Sequence, residues 1–175
     1  MTTVVFRSRD VSGDCRVLVE AAKCFAIVSY RGVVESFRQV PEIGTNQADS
    51  VKAWDHLAAV AAIGVAYHAV PLGFSMPTLN DYRRAIVDAA VEWDPDASDS
   101  LNAFFEVTHS TRPLFGEDYS TAVGVYVLGG VLSAAAKREP THHELEAGRW
   151  VGPLLVDGFS SWWSEQGGSS AIQRD

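Results

Sequence analysis

The sequence predicts an all-α fold, a single compact bundle of about five to seven helices with a short extended arm at its N-terminus, and three observations lead there. Apolar residues recur at three- and four-residue steps through most of the chain. Pro and Gly punctuate the chain between these stretches, with capping residues at their starts. The one β-branched run, Thr2 to Arg7, has no obvious partner run downstream and is taken as the arm rather than a strand. With 175 residues, 47% hydrophobic and 21% charged, the chain matches one domain with one core, and no metal or disulfide is needed to hold it.

The first helix is expected from Asp14 to about Phe37, where Leu18, Ala22, Phe25, Val28 and Val33 keep helical spacing and Pro41 with Gly44 ends the run. Residues 24–30 also read as a strand. Asp49 or Ser50 caps the second helix, which carries Trp54, Leu57, Val60, Ala61, Gly64 and Tyr67 toward Pro71 and has an alanine-rich face suited to close packing. Thr78 and Asp81 start the third like a capping box. Leu79, Tyr82, Ile86, Ala89 and Trp93 then trace the clearest amphipathic stripe in the chain.

Asp94-Pro95-Asp96 stops that helix, and Asp96 or Ser98 caps a fourth running through Leu101, Phe104 and Phe105 until Pro113. The fifth, about Tyr119 to Arg138, is apolar enough to be the central element. Its Gly124, Gly129 and Gly130 cost helix stability individually, which close approach of another helix would explain. Thr141 to Gln166 is the last helical region, with Gly152-Pro153 expected to bend or divide it. Residues 1–166 then form one domain and 167–175 a disordered tail.

The formal charge of −8 disfavours nucleic acid and anionic membrane surfaces as partners. Residues 1–40 hold six basic against four acidic residues, and residues 41–175 eight against eighteen, so the negative charge lies beyond the first segment. Two uncharged stretches, His56 to Asn80 and Tyr119 to Ala136, are long, but the first is broken by Pro71, Gly73 and Pro77 and the second is diluted by Ser, Thr and Gly, so buried core helices are expected. Cys15 and Cys24 fall on one helix about 13 Å apart on opposite faces, too far for a disulfide, which needs roughly 4.4 to 6.8 Å. Free thiols and the absence of a signal peptide at Met1 to Asp10 suggest a cytoplasmic setting.

Motifs for familiar chemistry are incomplete. Glu106-Val-Thr-His109 is a single Glu-x-x-His, where a di-iron bundle requires two and further glutamates. Thr141-His142-His143-Glu144 with His56 or His68 has the donors for a three-histidine metal site, but Thr141 and Glu144 also make a complete capping box. Asp94 to Asp99 resembles the opening of a calcium loop that lacks the sixth-position Gly and the twelfth-position Glu. Gly158-Phe-Ser160-Ser-Trp162 lacks the last glycine and the preceding strand of a nucleophile elbow.

The remaining signal is electrostatic. Asp88, Glu92, Asp94, Asp96 and Asp99 place five acids in twelve residues with no Lys or Arg among them. Asp94, Asp96 and Asp99 suit a turn and a helix start, but Asp88 and Glu92 repel each other at the negative end of a helix. Trp162-Trp163 are adjacent on a helix, so at least one of them is expected to be partly exposed as a partner contact.

The leading expectation is a non-catalytic protein without cofactor that presents Asp88, Glu92, Asp94, Asp96 and Asp99, with Trp162 and Trp163, to a basic protein partner and neutralises it, by analogy with immunity proteins, antitoxins and phage inhibitors. The alternative is a small helical metal-dependent enzyme using Glu106, His109 and one of His56, His68, His142 or His143. A homo-oligomer joined through the tryptophan-bearing end is a third reading.

Overall fold

Two segments are apolar all the way round and must lie inside: Ala58 to Val65 and Thr121 to Leu128 are each eight consecutive buried residues, more than two full turns of helix. The computed structural model describes residues 11–34, 43, 45–68, 76–110 and 118–165. They form α1 (Val11–Val34), α2 (Gln47–His68), α3 (Met76–Trp93), α4 (Ala97–Ser110), α5 (Tyr119–Ala136), the four-residue α6 (His142–Leu145) and α7 (Gly148–Glu165). The chain is an all-α bundle, as its apolar periodicity predicts, and no strand occurs among the described residues; the extended arm and the C-terminal tail lie outside them.

The centre is shared. α2 touches each of the five other long helices, while α5 packs against α7, α2 and α4. By length and composition α5 is the one helix among the described residues apolar enough to cross a membrane, and 61% of it is buried inside the bundle. Trp54 of α2 is fully buried, and its Nε1 donates to the Ala26 carbonyl of α1 at 2.9 Å, so a large apolar ring is buried with its one polar atom satisfied. Ser50 caps nothing; it lies inside α2, buried, with its hydroxyl donating to the carbonyls of Ile43 and Asn46.

α5 and α7 meet backbone to backbone. A Cβ on Gly124 would lie 2.1 Å from the Gly148 carbonyl oxygen, and one on Gly152 would lie 1.7 Å from that of Ser120. Gly130 instead accommodates the Leu57 side chain of α2, and Gly129 has only ordinary contact with Leu145. Gly152-Pro153, expected to bend or divide the last helical region, does not divide it, since α7 runs from Gly148 through Pro153 to Glu165. The helical region divides earlier, at Glu146-Ala147, after the capping box of Thr141 and Glu144 has closed α6.

The ends of α5 are fixed by named groups. Asp118 accepts from the backbone N–H groups of Ser120 and Thr121, and these bonds, with that from the Thr121 hydroxyl, hold its carboxyl below the usual range. Lys137 ends the helix in the left-handed region at φ 56° and reaches Asp49 at the start of α2 across 2.8 Å.

Cys15 and Cys24 are both free, one buried and one exposed. Burial, with Asp14 nearby, pushes the Cys15 thiol up to about 12. In mildly alkaline iodoacetamide the folded protein therefore gains one adduct, on Cys24, and gains the second only in denaturant. Gly152→Ala should lower unfolding free energy in urea by roughly 2 to 3 kcal/mol, since overpacking outweighs Ala's better helix propensity. Gly32→Ala, where a Cβ meets nothing within 4 Å, should be neutral or stabilising by about 0.5 kcal/mol.

Candidate functional site

The acid-rich segment forms the corner between α3 and α4, and its five carboxylates have different surroundings. Glu92 is gripped by Arg16 of α1, whose Nε and Nη2 donate to its two carboxylate oxygens at 2.7 and 3.0 Å. These charge-assisted bonds hold the Glu92 carboxyl below its ordinary value. The expected clash with Asp88 at the end of α3 is thus compensated from another helix, 76 residues away in sequence. Asp88, Asp96 and Asp99 are exposed.

Asp94 is half-buried and committed twice. Its Oδ1 accepts the Asp96 backbone N–H at 2.9 Å, shaping the turn, and its Oδ2 lies 3.1 Å from His56 Nδ1. His56 Nε2 lies 3.0 Å from the Ser100 hydroxyl. An ionised carboxylate only accepts, so Nδ1 carries the proton toward Asp94 and, in the neutral ring, Nε2 is left to accept from Ser100. The Trp93 ring leans on His56 at 5.6 Å, and buried Tyr126 donates to the Ser100 carbonyl at 3.2 Å. Beside this chain of bonds lies a hollow of about 710 Å³ whose wall includes Lys23, Ile27, Val51, Lys52, His56 and Trp93.

The other candidates do not converge. Glu106 and His109 are exposed on α4, and His68, also exposed, sets its ring edge-on to Phe105 and Tyr119. His142 and His143 stand exposed on α6. Among the described residues no three His, Cys, Asp or Glu side chains group to hold a metal ion. Ser160 lies within α7 and its hydroxyl donates to the Val156 carbonyl. Trp162 and Trp163 are half-buried against the core, with Trp162 tilted on Phe25 of α1.

Three residues escaped the sequence reading. Arg16 and Ser100 act through partners 76 and 44 positions away, and no local pattern marks either. Trp150, 76% exposed and one turn before the half-exposed Leu154, is the most exposed of the large hydrophobic side chains among the described residues. Comparison with known protein families, curated proteins and solved structures finds no match to this chain.

Glu144 offers a pH test of the local structure. Hydrogen bonds, first from Arg138 and then from the Thr141 backbone, lower its carboxyl from 4.5 to about 2. A folded value below the unfolded one stabilises above the unfolded value, and that contribution is lost as pH falls through the folded value. An NMR titration should therefore place the Glu144 midpoint well below ordinary glutamates, and Arg138→Ala should move it up.

Proposed function

We propose that this protein binds a basic protein partner through the α3–α4 corner and blocks that partner's site, as an immunity protein, antitoxin or phage-encoded inhibitor does. The observation that carries the reading is the exposure of Asp88, Asp96 and Asp99 around one helix junction in a chain of net charge −8. The field from these carboxylates attracts a cationic surface and speeds its encounter. Exposed Val17 and Val91 are sequence neighbours of the paired Arg16 and Glu92 and supply apolar contact area beside the charge. Trp162 and Trp163 are less suited to anchoring, because much of each ring already packs on the core. A cytoplasmic setting belongs to the same proposal.

The metal-dependent enzyme is the weaker reading. Glu106 and His109 are exposed, and His56 spends both ring nitrogens on Asp94 and Ser100. Immobilised protein should capture its partner from native-cell extract at low salt, and association should slow about tenfold or more as salt rises to physiological strength. The variant carrying Asp88→Asn, Asp96→Asn and Asp99→Asn should associate slowly even at low salt, with its dissociation rate little changed. Salt-independent association, or an unaffected triple variant, removes the proposal.

A further inference from the structure

Ser100, His56 and Asp94 come from α4, α2 and the turn between α3 and α4, so the fold, not a local motif, brings them together. We propose that they form a serine-nucleophile triad that transfers the acyl group of small carboxylic esters to water. This goes beyond partner binding and does not depend on it, because it requires Ser100 and His56 rather than the exposed Asp88, Asp96 and Asp99.

The geometry has the required order and reach. A hydroxyl meets one imidazole nitrogen at 3.0 Å and a carboxylate meets the other at 3.1 Å, both within the roughly 2.6 to 3.2 Å at which a base activates a nucleophile and a third group orients the base. Each member is held from behind. The turn N–H of Asp96 fixes the Asp94 carboxylate, Trp93 flanks the His56 ring, and Tyr126 anchors the Ser100 backbone.

Both ring nitrogens of His56 are engaged, and in the neutral ring with Nδ1 donating to Asp94, Nε2 presents its lone pair to the Ser100 hydroxyl. The side chains of His56 and Asp94 retain 31% and 27% exposure, so the pair is neither sealed in the core nor dispersed in solvent. Ser100 stands in the first turns of α4, and its Cβ tilts toward that helix's positive end. There the N–H groups of residues 98 and 99 have no carbonyl partner within the helix, and they are the donors nearest in sequence for a developing oxyanion.

The step balances with water as the only co-reactant. Ser100 Oγ bonds to the ester carbonyl carbon while its proton passes to His56 Nε2, and Asp94 stabilises the resulting imidazolium. The tetrahedral intermediate collapses by breaking the bond to the alcohol oxygen, which leaves with the proton from His56. Water then repeats the sequence on acyl-Ser100, releasing the carboxylic acid and restoring the hydroxyl. His56 forms part of the wall of the hollow, where Ile27, Val51 and Trp93 suit an apolar group of modest size; the charges there offset one another, Lys52 standing with Asp55 and Lys23 being held by Glu20.

The test uses the full chain with a fluorophosphonate probe and, separately, p-nitrophenyl butyrate. The expected result is one phosphonate adduct, mapped to Ser100 in the wild-type protein, and p-nitrophenol release about tenfold or more above buffer. Ser100→Ala abolishes both, and His56→Gln cuts both. Asp94, a positioning residue, should show its role as a lower kcat at unchanged KM in Asp94→Asn. Circular dichroism checks that each variant folds, and because the adduct is mapped in the wild type an unstable variant does not obscure the answer. An unlabelled wild type, or labelling and turnover that survive Ser100→Ala, overturns the proposal.

Discussion

The direct contact of two helix backbones at Gly124, Gly148 and Gly152 is the constraint on which the rest of this bundle depends. No side chain fits between α5 and α7 there, so their separation and register are set by hard-sphere contact rather than by adjustable packing. α5, fixed on that side, offers its opposite surfaces to α2 and α4. Phe104 of α4 meets Tyr126 of α5 edge-on at 5.2 Å, and Tyr126 in turn bonds the Ser100 carbonyl. The position of the α3–α4 corner therefore descends, through a few rigid groups, from three missing side chains.

α2 connects the two halves of the molecule. Trp54 and His56, two residues apart, point about 200° apart round the helix, one to the α1 backbone and the other to the acidic corner. One of them secures packing and the other gathers polar chemistry. The same arrangement shows why the two cysteines differ, since α1 lays Cys15 inward beside Tyr82 and turns Cys24 to solvent.

The helical period made the architecture legible, because the stripe through Tyr82, Ile86, Ala89 and Trp93 and the capping box at Thr141 and Glu144 are local signals with local causes. What was not legible depends on distant partners. Glu92 reads as a local violation until Arg16 is seen across from it, and nothing near Ser100 announces His56. The division expected at Pro153 is absent for a related reason, since α7 continues through it while Gly152 beside it packs on the Ser120 backbone of α5, a contact no local pattern announces. Among the site residues, the acidic corner was visible from composition, while the polar chain running through it was not.

Trp150 differs from the other four tryptophans in its surroundings, being mostly in water while Trp54 is sealed and Trp93, Trp162 and Trp163 are half-covered. The indole emission of the folded chain is accordingly a composite, with a long-wavelength component arising from the first turn of α7. Quenching by a soluble collider such as acrylamide would sample that turn first, making it a built-in optical reporter of whatever approaches the glycine-packed end of the helix.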